Sequence, residues 1–353
     1  MQSTETAQRI AIFGAGSWGT ALAISLAQQG QRVTLWARRA EAAETLRTKR
    51  ENTTYLPGAA LPASVQISSN LETVASEHNV WVVAIPSQAV RSLAERLVPF
   101  AAPSRIVVSV TKGIENRTLK TMTEVLSEVL PTIPKQHFVA LYGPSHAEEV
   151  AAGQPTTLVA AARRATVAEV VQQLFMSRRL RVYANDDIRG VEIGGSVKNV
   201  LAIAAGIGDG IGYGDNAKAA LITRGMAEIQ RLGIALGAQP QTFTGLTGIG
   251  DLVVTCMSQH SRNRYLGQEI GQGKSLEEIE AGMKMVAEGV RTTDSAYELA
   301  RREGVEMPIT EAVYGILFEG KDPTAAVSEL MTRSAKHEDW LPDHLQEEYT
   351  SES

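Results

Sequence analysis

The chain has 353 residues, 44% of them hydrophobic and 21% charged, with a formal net charge of −5. That length allows two domains and a large core, the composition excludes wholesale disorder, and the acidic balance argues against a nucleic-acid surface. The one cysteine, Cys256, excludes an intrachain disulfide and fits a reducing compartment. The polar start MQSTETAQR is not a secretory signal, and no run approaches the roughly 18 consecutive apolar residues of a membrane helix. We therefore expect a cytoplasmic protein without membrane insertion.

Residues 1–8 read as a tail. Arg9 to Phe13 is a compact apolar run ending at Gly14, the pattern of a buried strand. GAGSWG, Gly14 to Gly19, is followed by an alanine- and leucine-rich helix to about Gln29, and then by a second strand, Val33 to Trp36. Strand, glycine turn, helix and strand within about thirty residues are the context of a dinucleotide fingerprint. Gly14 allows the tight turn, Gly16 lets the backbone approach a pyrophosphate, and Gly19 lets the helix pack close to the strand. Free N–H groups and the positive dipole end would face the phosphates. An NAD-preferring site places an acid at the end of the second strand, but here Trp36 and Ala37 are followed by Arg38 and Arg39. Guanidinium groups match a ribose phosphate, so NADPH is expected, with NADH also possible.

Residues 40–60 read as a helix and then a loop. Val80 to Pro86 reads as a third strand, Ser87 to about Leu97 as a helix and Ile106 to Gly113 as a further strand. Lys112 falls just past the carboxyl end of that strand, where open parallel sheets bind ligands. Phe138 to Gly153 reads as a strand, a Gly-Pro turn and a helix start. Ser145 and Glu148 there have the spacing of a capping box. Thr156 to Ala162 and a basic stretch, Ser177 to Arg181, complete this half, and a boundary is expected near Asp186.

Beyond it, long helical patterns replace the strand-like runs. Glu192 and Lys198 are the only charged residues between Val191 and Gly208. A buried lysine needs a partner or a task, and burial tunes an ammonium for proton transfer near neutral pH; the alternative is a lysine that snorkels to the surface. GIGDGIGYGDN, Gly206 to Asn216, reads as a flexible helix–helix connection, with Asp215 or Asn216 capping the next helix. Asp251 sits among Gly, Leu and Val and requires a cationic or hydrogen-bonding partner, for which Lys198 is a candidate. Ten residues on, Ser261, Arg262 and Asn263 supply groups suited to a phosphate ester. Cys256 reads as a small packed hydrophobe and His260 as a surface residue. The helices run to about Arg333, and residues 334–353 read as an acidic tail.

These motifs together closely resemble the bacterial NAD(P)-dependent glycerol-3-phosphate dehydrogenases. The likeness runs from Ile10 to about Leu330 and rests on GAGSWGTALA, WARR, NTTYLPG, VTKGI, YGPSHAEEVA, EIGGSVKNVLAIAAGIGDGIGYGDNAKAALITRGMAEI, GLTGIGDLVVTC, SRN and VAEGVRTT in that order. The resemblance implies an α/β Rossmann-type dinucleotide-binding domain, residues 9–186, followed by an all-α substrate domain, residues 187–333. It implies reduction of dihydroxyacetone phosphate to sn-glycerol 3-phosphate with NADPH or NADH and no metal. That product would supply phospholipid synthesis, and the enzyme is expected to be a homodimer. Lys198 would be the proton donor and acceptor, oriented by Asp251. Substrate contacts would be Lys112, Gly143, Ser145, Lys198, Asp251, Ser261, Arg262 and Asn263. Nucleotide contacts would be Gly14, Gly16, Ser17, Trp18, Gly19, Arg38, Arg39, Tyr55, Lys112, Ala147, Arg262, Val286 and Glu288. His146 and the acidic tail depart from the pattern. A β-hydroxyacid dehydrogenase and a non-catalytic NADPH sensor are the competing readings.

Overall fold

The apolar run at the start forms β1 (Arg9–Phe13), and the next, past one helix, forms β2 (Arg32–Trp36) in parallel register with it, Ile10 opposite Val33. The structure, a computed structural model, describes residues 8–283, Met285 and residues 287–334. The expected tails, residues 1–8 and 334–353, lie almost entirely outside that range. The remaining strands are β3 (Glu51–Asn52), β4 (Leu56–Ala60), β5 (Gln66–Ser68), β6 (Val80–Val83), β7 (Ile106–Ser109), β8 (Phe138–Tyr142), β9 (Thr156–Ala162) and β10 (Leu180–Asn185). Eight form one sheet in the order β10-β9-β8-β7-β6-β1-β2-β5. All neighbours in it are parallel except β8 and β9, so the last two strands run against the rest.

Alternation along each strand fills two cores. Ile10, Ile12 and Val82 point into one face, and Ala11, Phe13, Trp81 and Val83 into the other. A sheet covered on both faces needs near-continuous apolar strands, which is what the sequence shows. On the second face Phe13 meets Trp81 edge-on at 6.0 Å and Trp36 at 6.1 Å between ring centroids.

Three expectations need correction. The segment after the helix Ala40–Lys49 is not a loop but a two-stranded hairpin, β3 and β4. Asn52 holds it: its amide donates to Ala15 O at 3.0 Å and to Thr20 Oγ1 at 2.8 Å, next to the glycine turn. The glycine-rich stretch from Gly206 is not a flexible connection either. The helix Ile188–Ile211 continues through it, leaving only residues 212–214 as the turn. The next helix begins at Asp215 with Gly214 as its N-cap, so neither Asp215 nor Asn216 caps it.

The chain divides into two compact units. Of the described residues, the first comprises those up to Glu115 and Lys120–Glu192; the second comprises Asn116–Leu119 and those from Ile193 on. In the second unit, glycines serve close packing rather than freedom. A Cβ on Gly206 would fall 2.0 Å from Arg264 O, and one on Gly210 would fall 2.3 Å from Gln268 O. From the facing helix, Arg262–Gly271, a Cβ on Gly267 would fall 2.1 Å from Ile203 O, and one on Gly271 would fall 2.4 Å from Ile207 O. Two glycines four residues apart on each helix therefore bring the backbones together. Ile188–Ile211 is also the one helix among the described residues long and apolar enough to cross a bilayer, but 94% of that window is buried inside the protein, as in a core helix.

Glu192, near the start of that helix, is 1% exposed and accepts hydrogen bonds from Thr121 Oγ1 at 2.8 Å, from Thr123 N at 2.9 Å and from Thr123 Oγ1. Burial raises its pKa from the usual carboxylate value to about 7, against the lowering effect of those bonds. A carboxyl whose folded-state pKa is raised contributes stability that is full below its unfolded pKa and is lost as pH climbs through the folded one. Glu192→Gln is therefore expected to flatten the fall in thermal stability between about pH 4.5 and 7, a contribution on the order of 3 kcal/mol. The amide can accept from Thr123 N and donate to a hydroxyl. Thermal midpoints across that range check this, and an unchanged slope in the variant would refute it.

Candidate active site

In the first unit the site begins at the glycine turn. Gly14 has φ +125°, and a Cβ there would fall 2.2 Å from Ala84 O. A Cβ on Gly19 would fall 2.0 Å from Gly14 O, so that position admits only hydrogen if the helix Ser17–Gln28 is to pack where it does. Gly16, the N-cap, is different, because a Cβ on it would meet nothing within 4 Å. Open space at this position, before free helix N–H groups, fits a pyrophosphate approaching the backbone. Ser17 is buried in the first turn and Trp18 is half-buried. Beyond the end of β2, Arg38 and Arg39 are exposed, and Arg39 is the N-cap of the following helix. Tyr55, half-buried, lies in the hairpin turn, its N–H bonded to Asn52 Oδ1 at 3.2 Å. These residues fit a dinucleotide with a ribose phosphate.

A second group collects at the ends of β7 and β8. Lys112 Nζ and Ser145 Oγ both donate to Gly143 O, at 2.8 Å and 2.9 Å. Gly143 has φ +143°, and a Cβ there would fall 2.9 Å from Thr157 O. Ser145 is not the expected N-cap. The helix Ala147–Ala151 starts after His146 with no side-chain cap, because the Ser145 hydroxyl is turned to Gly143. Ala147 is buried at the helix start.

The second unit holds the buried ammonium. Lys198 is 4% exposed and Asp251 is 1% exposed. They form an ion pair, and Lys198 Nζ also donates to Thr255 Oγ1 at 2.6 Å. Thr255 in turn donates to Asp251 O at 2.6 Å, one helical turn back. An ammonium and a carboxylate so far from water need such mutual support. Asp251 is the first residue of the helix Asp251–Met257. A π-helical turn, Leu246–Gly250, precedes it. A Cβ on Gly248 would fall 1.9 Å from Phe243 O, and one on Gly194 would fall 2.8 Å from Thr247 O, so glycines seat this turn against the lysine helix.

The Ser-Arg-Asn group opens the helix Arg262–Gly271. Ser261 is its N-cap and accepts from Arg264 N at 3.2 Å. Arg262 is exposed. Asn263 is buried; its amide donates to Asn199 Oδ1 at 3.0 Å, and its oxygen accepts from Gly289 N at 2.9 Å. Asn263 thus links the neighbour of Lys198 to the helix Glu288–Glu303, whose first residue, Glu288, is half-buried. Val286 lies outside the described residues. Cys256 is fully buried, and burial pushes its thiol up to about 12, which removes it as a nucleophile. Among the described residues no three His, Cys, Asp or Glu side chains gather as metal ligands.

Sequence reasoning missed Asn52, Thr255 and Asp209. Asp209 pairs with Lys218 at 2.6 Å and with Arg264 at 2.6 Å, which commits Arg264 to structure rather than to a ligand. A threonine one helical turn after a buried acid was the signal for Thr255. An acid in a glycine run, with a basic residue on each of two later helices, was the weaker signal for Asp209.

A family model described as NAD-dependent glycerol-3-phosphate dehydrogenase N-terminus matches residues 9–168, and its C-terminus counterpart matches residues 187–328. A glycerol-3-phosphate dehydrogenase [NAD(P)+] of Salinibacter ruber is 63% identical over 95% of this chain and 98% of its own length. One from Chlorobium limicola is 55% identical over 93% and 99%. The crystal structure of glycerol-3-phosphate dehydrogenase from Coxiella burnetii has 38% identity and a TM-score of 0.89, covering 93% of this chain and 99% of that one. With both halves matched and the sheet, the glycine turn and the buried lysine pair in place, the chain belongs to the NAD-dependent glycerol-3-phosphate dehydrogenase family.

Proposed function

We propose that this chain reduces dihydroxyacetone phosphate to sn-glycerol 3-phosphate, reversibly, with NADPH preferred over NADH. Family membership supports the reaction, and the two arginines past β2 support the cofactor preference. The observation that carries the mechanism is the Lys198, Asp251 and Thr255 set, buried and mutually bonded.

The reduced nicotinamide, when bound, supplies a hydride to the ketone carbon. Negative charge then develops on the carbonyl oxygen, and Lys198 Nζ gives that oxygen a proton. Asp251 and Thr255 hold the ammonium in one orientation, so little reorganisation is needed at the moment of transfer. General acid catalysis of this kind contributes about 100- to 10,000-fold. Arg262, with an exposed guanidinium, grips the substrate phosphate, and the remaining N–H of Asn263 and the Ser261 hydroxyl assist. Binding energy from that remote phosphate aligns the ketone. Lys112, Gly143 and Ser145 complete the substrate contacts. Arg262 and Lys112 also reach the nucleotide, together with Gly14, Gly16, Ser17, Trp18, Gly19, Arg38, Arg39, Tyr55, Ala147, Val286 and Glu288. Residues 9–186 serve as the nucleotide domain and residues 187–333 as the substrate domain. We further propose a cytoplasmic homodimer whose product feeds phospholipid synthesis.

The test is NADPH oxidation with dihydroxyacetone phosphate beside unphosphorylated ketones and keto acids. Turnover is expected with the phosphorylated ketone and at least about 100-fold less kcat/KM without the phosphate, because a guanidinium–phosphate contact is charge-assisted and strong. Equal turnover of a keto acid would reject the substrate assignment.

A further inference from the structure

The peptide between Ala15 and Gly16 lies in the middle of the glycine turn, and a side chain from outside the turn holds it. Asn52, in β3, is 4% exposed, and its Nδ2 donates to Ala15 O at 3.0 Å and to Thr20 Oγ1 at 2.8 Å. Its Oδ1 accepts from Tyr55 N at 3.2 Å. A carbonyl on one side and an N–H on the other leave the carboxamide one orientation. The buried Thr20 hydroxyl donates in turn to Gly16 O at 2.7 Å, where Thr20 N also bonds at 3.0 Å. Those two bonds hold the peptide that follows Gly16. The peptide that precedes it is different. Among the described residues, its carbonyl on Ala15 is held by Asn52 alone, and its N–H on Gly16 has no hydrogen-bond partner. All these residues belong to the first unit.

A peptide is planar and trans, so its C=O and N–H point opposite ways. With Ala15 O turned to Asn52, the Gly16 N–H faces away from it. Glycine tolerates the backbone angles of either orientation, so the residue that lets a nucleotide approach also lets this peptide turn over. Turned over, it presents a carbonyl oxygen where a pyrophosphate would meet an N–H. We propose that Asn52 is a positioning residue for the nucleotide: by gripping Ala15 O it keeps the Gly16 N–H aimed at the pyrophosphate. The proposal rests on the reading of the glycine turn as the pyrophosphate site, which the open space at Gly16 supports.

Asn52→Asp tests this. The variant keeps the size of the side chain and an acceptor for Tyr55 N, but sets a carboxylate oxygen against Ala15 O in place of a donor. The probes are NADPH and adenosine 2′-monophosphate, which carries the ribose phosphate without a pyrophosphate. The Kd for NADPH is expected to rise about 10- to 100-fold, as for the loss of a hydrogen bond to a charged group. The Kd for adenosine 2′-monophosphate is expected to stay within about threefold of wild type. Asn52→Leu removes the amide without adding charge, and is read in the same way should the buried carboxylate prevent folding. An unmoved Kd for NADPH, or an equal loss on both ligands, would overturn the proposal, because a merely structural defect weakens both. A wild type that binds NADPH no more tightly than the fragment would instead reject the pyrophosphate site on which the proposal rests.

Discussion

Replacing Lys198 with Met is expected to lower turnover about 100- to 10,000-fold while NADPH affinity stays near that of the wild type. The methylene stem is kept, so packing survives and the proton donor is lost. The same change leaves the Asp251 carboxylate buried at 1% exposure with its cation gone. Breaking a buried pair this way costs about 3–5 kcal/mol of stability. A fall in activity alone is therefore ambiguous between chemistry and fold. Lys198→Met combined with Asp251→Asn resolves it. The amide can accept a hydrogen bond without carrying charge, so the double variant is expected to regain most of the stability and none of the turnover. Thermal midpoints and steady-state rates measured side by side check both halves. Turnover that returned with stability would identify the pair as structural.

The second large effect concerns the cofactor. Arg38 is exposed one residue beyond the buried Ala37, where β2 has just ended. Arg38→Asp exchanges a partner for a ribose phosphate for one that bonds ribose hydroxyls and repels the phosphate. A charge-assisted hydrogen bond is worth about 1.5–3 kcal/mol, so the ratio of kcat/KM for NADPH to that for NADH is expected to fall about 10- to 100-fold. Little stability change should accompany it, because the side chain lies at the surface. An unmoved ratio would shift the phosphate contact to Arg39.

What could be read from the sequence was local. The roles of Gly14 and Gly19 follow from a strand, a turn and a helix within a few residues, and the backbone there leaves room for no Cβ. The buried Lys198 was legible because a charge stands alone in an apolar run. What escaped depends on partners far along the chain. Gly206 and Gly210 look like a flexible loop until Gly267 and Gly271 of a later helix are seen against them. The hairpin after residue 50 depends on Asn52 reaching Ala15 and Thr20, more than thirty positions away. The reversed direction of β9 and β10 has no signature in their composition, since the apolar pattern of a strand reads the same in either sense. Ser145 had the spacing of a capping box, yet Gly143, left-handed and two residues earlier, offered its carbonyl instead.

The whole mechanism requires that a primary ammonium at position 198 be the source of the proton. The sharpest measurement is the turnover of dihydroxyacetone phosphate by Lys198→Ala as methylammonium is added, in enzyme saturated with NADPH. The truncated side chain leaves space where a small amine can take up the place beside Asp251 and Thr255. Very low turnover without amine and a saturable rise with it are the predicted result. Turnover close to wild type and indifferent to the amine would contradict the account.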